Sequence, residues 1–519
     1  MSEQGASALA PGSRSRPLHQ ARARIPGVTP ILLALLGVGT RLFHLTANGL
    51  RTDESWTAWY TAFSIQRMLQ LHLSEGVGAT PPLYFALVHP LLFLGRTEEL
   101  LRLPSVVAGS VIVLATFWLA GFLFDRRVAL LSAAMVALSP LLVEYSQVAR
   151  AYALHAALGL LSVYAFSRLL LGSQRIWWWI IYVVTTLAAA YTFYLALLLV
   201  LAQNGAAALW WLRGRRAHRW FGHWLASQAV VGLGLLPLLS RLITITATSS
   251  EVAGQGWLGR PGPATVMRSV ILFTTGDPSS GPAGVTLLRL ASVVTVALIV
   301  ILGLFSLRRN WHVSMTAREQ DGLALLALLF AGPWSVALLA SQVRPVYHEK
   351  YLLFLVPLAL IALAWALLQI RRPAIAVVLT LVLLSLSGTA LTHIYTEPTG
   401  EQWREATRYV MSHTAGEPVL IVPGYYSRPL IYYADGNFPD DMLALVRSPA
   451  VAQIGSEYLD LDPADPATWP AAVRAAERVW LVTGYASEPE TARWFSPDFQ
   501  VVQDEEWAGA RVRLLERVQ

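Results

Sequence analysis

The chain has the sequence of an all-α polytopic membrane protein, about eleven transmembrane helices with interfacial helices in the first outer loop, followed by a small C-terminal extracytoplasmic α/β domain. Three observations predict this. With 55% hydrophobic and 14% charged residues and a mean hydropathy of +0.50, the 519 residues carry more apolar surface than one soluble core can bury. Long apolar segments recur, separated by short Arg clusters. Beyond residue 393 the spanning runs stop and charged, Pro/Gly-rich stretches take over.

The formal charge of +7 resides in those Arg clusters, the distribution expected of a positive-inside bias, so a nucleic-acid partner is not expected. Cysteine is absent, which excludes disulfides, thiolate metal sites and thiol nucleophiles.

Residues 1–24 form a basic tail with Arg14, Arg16, Arg22 and Arg24, placed in the cytoplasm. An apolar stretch from about Ile25 to Leu45 follows without a small-residue cleavage site, so it is expected to be an uncleaved span with Arg41 snorkelling near its outer end. Ten further segments are long enough to cross with some tilt: 104–124, 128–144, 152–171, 176–192, 194–212, 222–245, 284–307, 322–341, 351–370 and 374–393. Arg126-Arg127, Arg175, the Arg213 to Arg219 cluster, Arg308-Arg309 with Arg318, and Arg371-Arg372 then fall on the cytoplasmic side. The odd count puts residues 394–519 outside, and the chain as a whole is expected in the inner (plasma) membrane of a cell.

The segment Leu83 to Gly95 decides this scheme. It is apolar but short, contains Pro90 and follows Pro81-Pro82, so it is expected to be interfacial or re-entrant within an outer loop of about 46–103. That choice places Asp53, Gln147, Arg150 and the 342–350 loop on one face. In the C-terminal part, a helix over about Glu401–His413, strands at Val419–Val422 and Val479–Val482, and a last strand near Arg511–Leu515 are expected.

Three motifs at span ends carry candidate chemistry. The first is Arg51-Thr-Asp53-Glu54-Ser-Trp56-Thr-Ala-Trp59-Tyr60. A carboxylate beside a bilayer is costly and is first taken as a working group. It can act as a general base or hold a divalent cation, and metal dependence stays open. A simple helix cap, with Arg51 pairing to its neighbour, competes with that role. The second is Glu144-Tyr145-Ser146-Gln147-Val148-Ala149-Arg150-Ala-Tyr152, whose Arg fork suits a phosphate or carboxylate, or a lipid headgroup. The third is Arg344-Pro345-Val-Tyr347-His348-Glu349-Lys350-Tyr351, where Lys350 is the sole lysine of the chain. Cations there can bind a lipid phosphate and stabilise it as a leaving group, or anchor to the interface.

Together with Pro81-Pro82-Leu83-Tyr84, Leu101-Arg102-Leu103-Pro104-Ser105 and Lys350-Tyr351-Leu352-Leu353, these motifs resemble the GT-C superfamily of polyprenyl-phosphate-sugar glycosyltransferases. The branch is similar to bacterial relatives of dolichyl-phosphate-mannose protein mannosyltransferases and of lipid A aminoarabinose transferase, over most of residues 25–393.

The resemblance implies a GT-C fold and transfer of a sugar from a polyprenyl-phosphate donor, usually with inversion, to a lipid, glycan or protein acceptor outside the membrane. It implies Asp53 and Glu54 as catalytic carboxylates. Arg150, Lys350, Arg344 and His348 would bind the donor phosphate, and Gln147, Tyr152 and Tyr351 would line the cavity. The chain departs from the pattern at Val148, where relatives often carry an acid that Glu144 would have to replace. It also departs at Lys350, which keeps charge without a bidentate fork, and at Thr80. A transporter or flippase of lipid-linked sugars, or a polymerase or ligase using the 246–283 loop with Trp257, Arg260 and Asp277-Pro278, is the alternative function.

Overall fold

A computed structural model describes residues 28–73, 80–172, 175–248, 258–277, 282–398, 400–422, 426–434, 443–445, 458–459, 471–484 and 498–518. The basic tail, Trp257, Pro278 and the side chains of Arg308 and Arg309 lie outside the described residues.

Every apolar segment predicted to span contains one or more helices. These are α1 (Val28–Leu42), α5 (Glu98–Leu123), α6 (Arg126–Ala137) with α7 (Pro140–Ser146), α8 (Tyr152–Leu171), α9 (Ile176–Ala190) and α10 (Ala196–Leu212). The series continues with α11 (His218–Thr248), α13 (Pro282–Ser314), α14 (Ala317–Val343), α15 (Leu355–Gln369) and α16 (Pro373–Thr396). Among the described residues, six are long and apolar enough to cross a membrane, and α6 with α7 makes a seventh if that pair is one span bent by 55°. The expected eleven therefore reduces to six or seven by length, because α1, α9, α10 and α15 hold only 15, 15, 17 and 15 residues.

The bend has a local cause. Pro140 lacks an N–H and its ring disfavours a helical residue before it, and here Ser139 is extended (φ −69°, ψ 117°), so α7 starts anew with Pro140 in its first turn. Carbonyls left open at the end of α6 are then met by Arg41. Its guanidinium donates to Val136 and Ala137 at 3.4 Å each and to Gly37 at 2.9 Å. Arg41 is fully buried rather than snorkelling, a correction to the sequence expectation, because the break in the neighbouring helix offers better acceptors than the interface does. Gly109 of α5 makes this close approach feasible: a Cβ there would lie 2.0 Å from Ser146 Oγ and 2.5 Å from Arg41 Nε.

Between α1 and α5 lie α2 (Thr52–Thr61), α3 (Ile65–Leu73), α4 (Leu83–Val88) and a 3-10 helix His89–Leu94. The last two form one short apolar run, as the sequence indicated for an element too short to span. These elements share a core of Leu50, Tyr60, Met68, Leu71, Tyr84 and Phe85, closed by Ala149 and Ala151 from the turn before α8. The connection after α11 contains a helix that was not foreseen, α12 (Pro263–Thr274), which packs on α15 and α13.

The C-terminal region carries α17 (Trp403–His413), α18 (Ser427–Tyr433) and α19 (Ala471–Ala475) with a six-stranded sheet in the order β3-β2-β1-β4-β6-β5. The strands are β1 (Val419–Val422), β2 (Leu443–Leu445), β3 (Tyr458–Leu459), β4 (Arg478–Gly484), β5 (Phe499–Trp507) and β6 (Ala510–Arg517). β3, β2, β1 and β4 are parallel, and β6 and β5 add antiparallel, with Val479 opposite Leu515 and Leu420 opposite Leu481. The expected helix and three strands are present. β2, β3 and β5 were missed, the first two for brevity and β5 because its Gln503-Asp504-Glu505-Glu506 stretch is solvent-facing and charged.

Candidate active site

Asp53 and Glu54 open α2, yet their side chains enter different surroundings. Glu54 is fully buried: it accepts from Arg102 Nε at 2.8 Å and Nη2 at 3.0 Å, from the Ala149 N–H at 2.7 Å, and from the Arg51 N–H at 3.0 Å. It therefore caps its own helix and bolts the turn before α8 to the segment between α1 and α5. Arg102 completes the bolt by donating to the carbonyls of Leu45, Asn48 and Gly49 at 2.6–3.0 Å. Helix capping, which competed with a catalytic role for either acid, is what the Glu54 geometry shows.

Asp53 is different. Its Oδ2 lies 3.8 Å from Arg150 Nε, an ion pair longer than a hydrogen bond, and its buried Oδ1 has no hydrogen-bond partner among the described residues. The carboxylate keeps 35% of its side-chain surface open. Arg150 is positioned by the Asp53 carbonyl at 3.2 Å and Thr80 Oγ1 at 3.4 Å. Burial opposes its charge, but Tyr152 and Asp53 outweigh that and hold its pKa above the ordinary arginine value. Arg51 pairs with Glu144 at 3.0 Å, so the acid upstream of Gln147 stands beside Asp53 through a cation rather than facing Arg150.

Tyr152 joins this group to the third motif. The Arg150 guanidinium lies 6.0 Å and the Lys350 ammonium 5.4 Å from its ring centroid, and Lys350 is 5.5 Å from the Tyr351 ring. His348 accepts the Lys350 N–H on Nδ1 at 3.2 Å, which leaves Nε2 as its N–H. Burial, then the charges of Lys350 and Arg268, push its pKa down to about 3, so it is an uncharged imidazole at neutral pH.

The sequence-predicted residues thus divide. Asp53, Arg150, Tyr152, Lys350 and Tyr351 converge around the Tyr152 ring, with His348 5.8 Å from the Tyr351 ring. Gln147 does not face Asp53: its amide donates to the carbonyls of Arg41 and Phe43 at 3.1 and 2.7 Å, fastening the end of α1. Arg344 is exposed at the end of α14. No group of three or more His, Cys, Asp or Glu suited to a metal ion occurs among the described residues.

Five contributing residues were not assigned from sequence. Arg102 stood in a quoted motif but without a role, although an Arg in the first turns of an apolar span was the available signal. Thr80 touches Arg150. α12 brings Ser269 to Tyr347 and to buried Glu349 at 2.7 and 3.1 Å, bracing the third motif. From the C-terminal region, Glu401 accepts the Thr52 N–H at 2.5 Å and Trp403 Nε1 donates to Thr52 Oγ1 at 2.9 Å, one residue before Asp53.

Residues 79–240 match the family described as dolichyl-phosphate-mannose-protein mannosyltransferase. No curated protein matches the full sequence. The structure is similar to ArnT from Cupriavidus metallidurans in the apo state, with a TM-score of 0.58 at 13% identity over 94% of this chain and 97% of that one. The same enzyme bound to undecaprenyl phosphate gives 0.55 at 13% identity over the same 94% and 97%. The Archaeoglobus fulgidus oligosaccharyltransferase tethered to an acceptor peptide gives 0.50 at 13% identity over 78% of this chain and 63% of that chain. At such identities these likenesses establish the fold. The resemblance read from the sequence agrees with these matches: the chain is a multi-span membrane protein whose fold is similar to that of ArnT and whose residues 79–240 match the dolichyl-phosphate-mannose-protein mannosyltransferase family.

Proposed function

We propose that the chain is an integral-membrane glycosyltransferase that moves a sugar from a polyprenyl-phosphate donor to an acceptor on the extracytoplasmic face. The observation that carries this is the Asp53 carboxylate, half-open and with an unpartnered oxygen, set against Arg150 with Lys350 across the Tyr152 ring. Similarity to an enzyme whose structure holds undecaprenyl phosphate supports the donor class.

In this mechanism the acceptor hydroxyl or amine binds at the open side of the Asp53 carboxylate. Its heteroatom attacks the sugar C1 in line while the C1–O bond to the phosphate breaks, inverting the anomeric centre. The acceptor proton passes to Asp53, and the bonding electrons leave with the polyprenyl phosphate, whose charge Arg150 and Lys350 stabilise. His348, uncharged, contributes an N–H rather than a charge. Glu54 acts as a positioning residue that fixes the first turn of α2, and Arg344 remains an outer contact for the donor.

Placing the N-terminus in the cytoplasm and residues 394–519 outside follows the Arg distribution. Transfer from radiolabelled polyprenyl-phosphate sugars by detergent-solubilised protein, with Asp53→Asn and a chelator arm in parallel, tests the assignment. Loss of transfer in a folded Asp53→Asn protein is expected. Full activity of that variant overturns Asp53 as the base, and donor binding without transfer across an acceptor panel favours a carrier of lipid-linked sugars.

A further inference from the structure

A second cavity lies on the far side of α2 from Asp53. Ser55, Ala58, Trp59 and Ala62 line it, the spacing of one helix face, and Ser55 is about 200° around the helix from Asp53. Leu92 and Arg96 form a second wall, and Arg428, Ile431 and Tyr432 of α18 form the third. The volume is about 260 Å³, below the roughly 300–1,000 Å³ usual for drug-sized ligands, so it suits one small headgroup rather than an oligosaccharide.

Its charge is one-sided. Two guanidiniums and no carboxylate occur among the described lining residues. Arg428, 5% exposed, is stacked over Trp59 at 4.2 Å and Trp56 at 5.3 Å, which fixes its planar group at the wall. The Tyr432 hydroxyl donates to the Arg96 carbonyl at 2.8 Å, tying the two walls together. Beside the cavity, Phe93 and Leu94 are 85% and 76% exposed. In a multi-span membrane protein two such side chains belong at the acyl boundary, and Trp59 and Tyr432 have the amphipathic character of the headgroup layer.

We propose that this cavity is a phospholipid site, distinct from the donor site: Arg96 and Arg428 hold the phosphate of an anionic headgroup, and the acyl chains run out along Phe93 and Leu94. Bound there, the lipid bridges the first outer loop and the C-terminal region.

Native mass spectrometry of the full chain, released from nanodiscs of phosphatidylglycerol or phosphatidylcholine, tests it without any activity assay. Wild type is expected to retain one phosphatidylglycerol and at least tenfold less phosphatidylcholine. Arg96→Glu, an exposed position that leaves the core intact, is expected to lose retention tenfold or more, as is Arg428→Gln if it folds. Arg372→Glu, exposed and outside the lining, is expected to retain it. Equal retention of both lipids, no effect of Arg96→Glu, or equal loss in Arg372→Glu overturns the proposal. Displacement by glycerol 1-phosphate as effective as by phosphatidylglycerol also overturns it, since the site would then take a soluble phosphate.

Discussion

The two carboxylates that open α2 are adjacent in sequence and opposite in circumstance. Glu54 is sealed among Arg102 and two backbone N–H groups, whereas Asp53 keeps an unpartnered oxygen and reaches its cation only at 3.8 Å. A carboxylate with all its acceptor sites filled holds structure; one left half-satisfied beside a cation is available for chemistry. A single residue's turn of the helix, about 100°, separates the two fates.

The sharpest break of this comparison is removal of one charge on each side. Asp53→Asn is expected to lower kcat by about 100-fold or more, the scale of a lost general base, with an unchanged melting profile in detergent. Substitution on the sealed side should do the reverse: Arg102→Ala leaves Glu54 buried without its cation, costs about 3–5 kcal/mol, and appears as a lower Tm or failure to insert. An Arg102→Ala protein as stable as wild type would show that Glu54 is not the bolt.

Gly109→Ala probes the support beneath the second motif. Its methyl would collide with Ser146 and Arg41, and overpacking of this kind costs about 1–3 kcal/mol, again read as Tm. Glu401→Gln is subtler. Burial raises its carboxyl pKa, and its bond to the Thr52 N–H holds the residue before Asp53. A fall of a few-fold in kcat, with donor KM unchanged, is expected; an equal effect on stability alone would assign Glu401 to domain docking.

The smallest effect is one of pH. His72 packs between Tyr60 and Phe85 and donates Nδ1–H to the Met68 carbonyl, and burial pushes its pKa from 6.5 to about 4. The unfolded state therefore binds the proton first, and stability is complete above 6.5 and falls as pH drops toward 4. Limited proteolysis of the first outer loop should accelerate in that window, with a flatter profile for His72→Gln.

The helical bundle was legible because apolar length and Arg spacing are local signals, whereas the break at Ser139-Pro140 was not read, since the 128–144 segment was taken as one span across it. Helix α12 was not, since a 12-residue segment between longer apolar runs gives no spanning signal. Arg41 shows the limit well: its type and position suggested the interface, but the open carbonyls of α6 that capture it belong to another helix 95 residues away.

By itself the sequence determined that this is a multi-span membrane protein with acidic, arginine and lysine motifs at helix ends, because hydropathy and charge act through composition along the chain. Only the tertiary structure decided which of Asp53 and Glu54 stays open, that Gln147 serves α1, and that Glu401 reaches Thr52. Each of these depends on which partner arrives from a distant segment, and hydrogen-bond satisfaction is a property of the assembled neighbours rather than of the residue.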